Sequence, residues 1–242
     1  MSERLDRNDL SYWFPLIEAA GLPVPRTKIL RMPTVAAEFV WQAQDGKIDA
    51  DPTAWRAFGD EIKNAAAEFG RPFFLRTAHT SAKHDWDRAC FVAGGANILQ
   101  HIFAIAEYSE CAGMIGLPWD TWAVREFLPT LPLGVCPAYG NMPICREFRA
   151  FVDDGRVRCL HPYWPLRALQ EGGAPADLDY SLLCELHPVT REYLCNLAFT
   201  AGAACGGAWS VDILETSRGW VVTDMAEADK SFHWDGCPNA KR

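Results

Sequence analysis

No stretch of the sequence approaches the roughly 18 consecutive apolar residues of a membrane span. The first residues, MSERLDRNDLSYWF, lack the apolar centre of a secretory signal, so a cytoplasmic location is expected. The nine cysteines include no CxxC pair. That scatter argues against a zinc site, the odd number argues against a closed disulfide framework, and reduced, mostly buried thiols are the expectation. The six histidines form neither HExxH nor HxH, so metal binding by imidazole is not expected. GxxxxGK[ST] and GxSxG are missing too, which excludes a P-loop and an α/β-hydrolase elbow. Positive charge is scarce: 23 Lys and Arg stand against 31 Asp and Glu, for a net charge of -8. General nucleic-acid binding is therefore disfavoured unless the bases gather in one cleft.

What is present is enough material for a core. The 242 residues are 49% hydrophobic and 12% aromatic, which suits one large domain or two small lobes. The ten tryptophans read as core rather than as a base-stacking platform. There is no internal repeat and no low-complexity stretch.

Apolar spacing predicts a helix from Leu10 to Ala20, stopped by Gly21, and a second from Thr53 to Phe69, stopped by Gly70. Between them, Pro23 and Pro25 force extended backbone before a brief apolar run through Ile29 and Leu30. Pro72 to Arg76 reads as a strand, followed by a polar loop from Thr77 to Trp86 and a returning strand over Cys90 to Ala93. Asn97 to Tyr108 has helical spacing, and Trp122 to Phe127 is strand-like. Cys145–Val152 and Val157–Pro162 are predicted to pair across the tight turn Asp153-Asp154-Gly155. A helix from Glu192 to Ala204, closed by Gly206-Gly207, precedes a hairpin of Trp209–Leu214 with Trp220–Thr223. These mixed runs predict α+β lobes, with any hinge in the Pro- and Gly-rich stretch from Trp122 to Met142.

Three groups of residues could carry chemistry. Arg76 and Lys83, on a strand and its hydroxyl-rich loop, could present cations and N–H groups to a polyphosphate, or could be a solvated hairpin tip. Period-two alternation puts Glu147 and Arg149 on one strand face with Cys145 and Phe151, as a cleft wall or a cross-strand salt bridge. Asp212, Asp224, Glu227 and Asp229 cluster on and after the last hairpin, where neighbouring carboxylates suit Mg²⁺, or simply form an acidic surface turn.

Taken in order, the segments from Phe73 to Phe232 resemble the ATP-grasp superfamily, and within it the cell division cycle protein 123 (D123) family. Phe74-Leu75-Arg76 through Lys83 is similar to a nucleotide-facing strand and loop, and Val124-Arg125-Glu126-Phe127 to the linker strand at adenine. Glu147-Phe148-Arg149 with its apolar continuation resembles the family's EFR word. Val211-Asp212-Ile213 and Val221-Val222-Thr223-Asp224 resemble the strands that deliver metal-binding acids.

The resemblance implies an α+β, two-lobed ATP-grasp-like fold with nucleotide held between antiparallel sheets. Residues 1–70 would be a helical lead-in, 71–125 a first lobe, and 126–242 a second lobe with the metal acids. It implies ATP and Mg²⁺ as cofactors. Arg76, Lys83, Arg125, Glu126, Phe127, Glu147, Arg149 and Asp212 would bind nucleotide, Lys83 and Arg149 would be catalytic, and Asp212, Asp224 and Glu227 would hold metal. The family's Asp-x-Asn-Pro reads Asp224-Met225-Ala226-Glu227 here, so Glu227 or Asp229 would stand in for asparagine, and Arg76 stands where lysine is usual. The implied activity is a ligase that activates a carboxylate for an unknown small-molecule or protein acceptor. A D123-type assembly chaperone for a translation factor complex, or a degenerate interaction domain, are the alternatives.

Overall fold

The structure is a computed structural model that describes residues 6–47, 51–112 and 116–239. The chain forms two compact units: one of residues 1–25, 128–138 and 143–242, the other of residues 26–127 and 139–142.

The second of these is built on an antiparallel four-stranded sheet. Its strands are β1 (Thr27–Arg31), β2 (Phe73–Thr77), β3 (Phe91–Val92) and β4 (Thr121–Glu126), in the order β1-β4-β2-β3. Helices α2 (Thr34–Gln44), α3 (Thr53–Ala67) and α4 (Ile98–Cys111) share its core. Alternation on the central strands decides which face they cover: Phe73 and Leu75 of β2, with Trp122 and Val124 of β4, join Val40, Phe58, Ile62 and Ile102 in that core. Asn97 caps α4 by accepting the Leu99 N–H, and the left-handed Gly70 follows the end of α3.

The other unit carries helix α1 (Leu10–Ala19) and a ribbon of β5 (Gly134–Cys136) and β6 (Met142–Ile144). Its main sheet contains β7 (Glu147–Asp153), β8 (Arg156–Pro162), β9 (Trp209–Thr216) and β10 (Gly219–Glu227), antiparallel in the order β10-β9-β7-β8. Short helices α5 (Leu166–Glu171) and α6 (Tyr180–Cys184) lead to α7 (Pro188–Cys205), which packs on β7, β8 and β9 and against α1. The β7–β8 turn is legible in the backbone, since Asp154 and Gly155 both have positive φ, as a primed two-residue turn requires. Phe148, Ala150, Val152, Trp209, Val211 and Ile213 are buried on the helix-covered face, each large side chain worth about 1.5–3 kcal/mol when removed from water.

Candidate functional site

The close approach of Gly202 on α7 to Val152 fixes which face of β7 the helix covers. Strand alternation then sends Glu147, Arg149 and Phe151 to the opposite face. Cross-strand register extends that face: Arg149 stands opposite Asp212 of β9 and His161 of β8, and Phe151 opposite Ser210 and Cys159. Asp212 stands opposite Asp224 of β10. A β-bulge between Val222 and Asp224 makes this possible, because Val222 faces inward with Ile213 and regular alternation would have sent Asp224 inward as well. The structure therefore brings Arg149, Asp212 and Asp224 onto one face of one sheet.

Arg149 and Asp212 form a two-pronged ion pair, Nε to Oδ1 at 2.7 Å and Nη2 to Oδ2 at 2.8 Å. Arg149 Nη1 donates to the Phe232 carbonyl at 3.3 Å, and the guanidinium lies 4.6 Å from the Tyr163 ring centroid. Burial works against the Arg149 charge, but Asp212 outweighs it and raises the pKa above the ordinary arginine value. Asp224 Oδ1 accepts the Met225 N–H at 3.0 Å, and the Glu147 carbonyl accepts the Tyr163 N–H at 2.8 Å.

Glu227 is placed elsewhere. It stands opposite Trp209, on the other sheet face from Asp224, and Arg7 Nη1 and Asn8 Nδ2 approach its carboxylate at 3.5 and 3.3 Å. Asn8 Oδ1 also accepts the Glu227 N–H at 2.8 Å. Asp229, the other stand-in, is exposed at 3.9 Å from Lys230.

In the other unit, Arg76 and Arg125 lie on the sheet face away from the hydrophobic core, because Arg76 pairs with Ala123 and Arg125 with Phe74 and Thr27. Both are only 4% exposed. Arg76 Nε donates to the Thr77 carbonyl at 3.0 Å. Lys83 follows the left-handed Ala82 and opens a short 3₁₀ turn. The loop before it is organised by Thr77, whose hydroxyl oxygen accepts the Thr80 N–H at 3.0 Å. Burial drives the Cys90 thiol pKa far up while Lys83 and Arg76 pull it down, so both cations act on the same buried sulfur. Glu126 accepts from the Arg26 N–H at 3.1 Å and from its Nε at 3.2 Å. Phe127 joins an aromatic group, 5.1 Å from the Phe91 centroid and 6.3 Å from that of Trp86.

One constellation was missed by motif spacing. Cys159, His161, His233 and Cys237 bring one potential ligand atom each to within 4.8 Å of one another. Scattered in the sequence, these four residues are brought together by the fold. The pairs Cys159-Leu160-His161 and His233 to Cys237 were the available signal, but they lie over seventy residues apart and match no familiar zinc spacing.

No protein-family model matches the chain, and no curated protein matches it in sequence. In structure it is similar to C-terminally truncated Cdc123 from Schizosaccharomyces pombe, at a TM-score of 0.54 and 14% identity over 92% of this chain and 86% of that one. It is also similar to a RimK domain ATP-grasp protein from Sphaerobacter thermophilus, at 0.49 and 17%, covering 91% of this chain and 60% of that one. A D-alanine–D-alanine ligase from Bacillus anthracis complexed with ATP is matched at 0.47 and 9%, over 90% of this chain and 52% of the ligase. The chain thus spans at most 60% of the length of these last two proteins. The fold is α+β and similar to that of Cdc123 through nearly the whole chain.

Proposed function

We propose that the chain binds Mg-ATP and acts as an ATP-grasp ligase, activating a carboxylate as an acyl phosphate for attack by an amine or thiol of a small-molecule or protein acceptor. The observation that carries this reading is the register of Asp212 with Asp224, secured by a bulge, on the sheet face that also holds Arg149. Two carboxylates on adjacent strands fit Mg²⁺, which needs only one or two when phosphates and waters complete its octahedron. Bound there, the ion would offset charge that develops during phosphoryl transfer.

The remaining roles belong to the chain's own residues. Arg149 fixes both oxygens of Asp212 and keeps a permanent positive charge on that face. Arg76 and Lys83 neutralise phosphate oxygens, each worth about 2–4 kcal/mol in a dry site. The backbone of Arg125-Glu126-Phe127 meets adenine, with the aromatic group around Phe127 as its apolar flank.

Adding Mg-ATP at a hundred times its dissociation constant stabilises a binder by about 2.7 kcal/mol, which for a chain of this size raises Tm by about 5–10 °C. That shift is expected in the wild type and lost in Lys83→Ala and Asp224→Ala. A shift retained in both variants overturns the assignment.

A second reading, an ATP-binding assembly factor without ligase turnover, is favoured by the placement of Glu227 on the other sheet face, which leaves Asp212 and Asp224 as the proposed metal acids on the Arg149 face. ADP release stimulated by a member of a carboxylic-acid library supports the ligase. ATP retained without turnover, together with a co-purifying protein, supports the assembly factor.

A further inference from the structure

We infer that Cys159, His161, His233 and Cys237 form a structural zinc site that fastens the segment after β10 to the edge strand β8. Cys159 and His161 are two residues apart on β8 and so share a face. His233 and Cys237 come from the segment beyond β10, bent back by a turn in which the Cys237 N–H donates to the Trp234 carbonyl at 3.2 Å with Gly236 at a φ of 79°. That positive φ is readily open to glycine, and it returns Cys237 toward His233.

The ligand atoms already converge. All four lie within 4.8 Å of one another, and Cys159 Sγ is 3.2 Å from His233 Nε2. A tetrahedral zinc with bonds of about 2.0–2.3 Å separates its ligand atoms by about 3.3–3.8 Å, so a small contraction closes the site. A second, independent observation points at a ligand: His161 Nε2 is buried without a hydrogen-bond partner. Such an atom is costly unless something accepts its lone pair or its proton.

The rings are held in place. His233 stacks on Phe151 with centroids 3.8 Å apart, and His161 stacks on Trp234 at 5.9 Å. Burial lowers the pKa of both imidazoles. Burial and the adjacent Cys237 push the Cys159 thiol up to about 12, a cost that a bound cation removes by taking the thiolate.

Two sulfurs and two imidazole nitrogens in a tetrahedral arrangement select zinc, and four protein ligands leave no open position for catalysis. The clasp would cover the exposed edge of β8. It would also hold Phe232, next to His233, where its carbonyl receives Arg149. The inference does not depend on nucleotide binding.

The test uses the whole chain, purified reduced and given Zn²⁺. One zinc per chain by elemental mass spectrometry is expected, falling to none in Cys159→Ser/Cys237→Ser and staying at one in Cys184→Ser/Cys195→Ser. Should the first variant fail to fold, the wild type still decides. Zinc should shield Cys159 and Cys237 from alkylation while Cys111 stays reactive, and Co²⁺ should give the intense visible bands and thiolate charge transfer of a tetrahedral sulfur-ligated ion. Folded, reduced wild type that takes up no zinc, or zinc uptake without protection of these two thiols, overturns the inference.

Discussion

Arg149 and Asp212 are locked side by side across β7 and β9, with both guanidinium prongs on both carboxylate oxygens and Asp212 only 4% exposed. Removing one partner strands the other's charge in a site that water cannot repay. Arg149→Ala is expected to cost about 3–5 kcal/mol of folding stability. Arg149→Lys keeps the charge but has no planar fork, so it should recover only part of that loss. Replacing the pair together, as Arg149→Met with Asp212→Leu, should be closer to neutral than either single change. Urea unfolding of the wild type, Arg149→Met, Asp212→Leu and the double variant, read as a double-mutant cycle, checks this, and additive single costs would contradict it.

Gly202 lies in the interior of α7, where alanine would ordinarily add up to about 1 kcal/mol of helix stability. Here a Cβ would stand 2.7 Å from Val152 Cγ1, a branched side chain held in the sheet. The contact decides the sign. Gly202→Ala should destabilise by about 1–3 kcal/mol, and adding Val152→Ala should restore part of it by making room. Thermal unfolding of the single and double variants distinguishes this from a mere propensity effect, which would leave Gly202→Ala stabilised.

The elements with local punctuation were legible in the sequence. Asp154-Gly155 announced the β7–β8 turn because few residues tolerate two successive positive φ values. Gly21 and Gly70 marked the ends of α1 and α3 for the same reason. Helix α2 went unread: it starts behind Pro33 with no side-chain cap, so the usual start signal is missing. The proximity of Asp212 to Asp224 followed from reading the last hairpin, but the bulge that aims Asp224 did not, since alternation carries no sign of an inserted residue. Glu227 could not be placed on its face for that reason either. The Cys and His cluster depends on β8 being an edge strand and on the chain returning past it, relationships that belong to topology and not to spacing.

Thiol reactivity should separate the cysteines sharply. Cys111, at the end of α4, is exposed, whereas Cys90 and Cys205 are buried. Burial pushes the Cys205 thiol up to about 11, so at pH 8 its thiolate fraction falls by roughly two orders of magnitude below that of a free cysteine. Cys90 is driven up further still, against the pull of Lys83. Brief native alkylation at pH 8 is expected to label Cys111 first and to reach Cys90 and Cys205 only after unfolding, as peptide mass mapping would report. Early labelling of Cys90 would mean that the β2–β3 region opens readily.

The opposite facing of Asp224 and Glu227 gives a direct way to separate metal binding from chain anchoring. Asp224 shares its face with Asp212, so Asp224→Asn should weaken the Mg²⁺-dependent part of ATP binding while leaving the fold close to its original stability. Glu227 instead engages Arg7 and Asn8, in a contact about one-third exposed. Because such pairs are screened by water, Glu227→Gln should cost less than about 1 kcal/mol. Its effect should be local: faster amide exchange over residues 7–13 and earlier proteolysis there, with the Mg-ATP thermal shift intact. Parallel titrations with and without Mg²⁺ on the two variants decide the matter. Loss of magnesium dependence in Glu227→Gln, with Asp224→Asn unaffected, would mean that the working metal face is the one covered by α7 and not the one that carries Arg149.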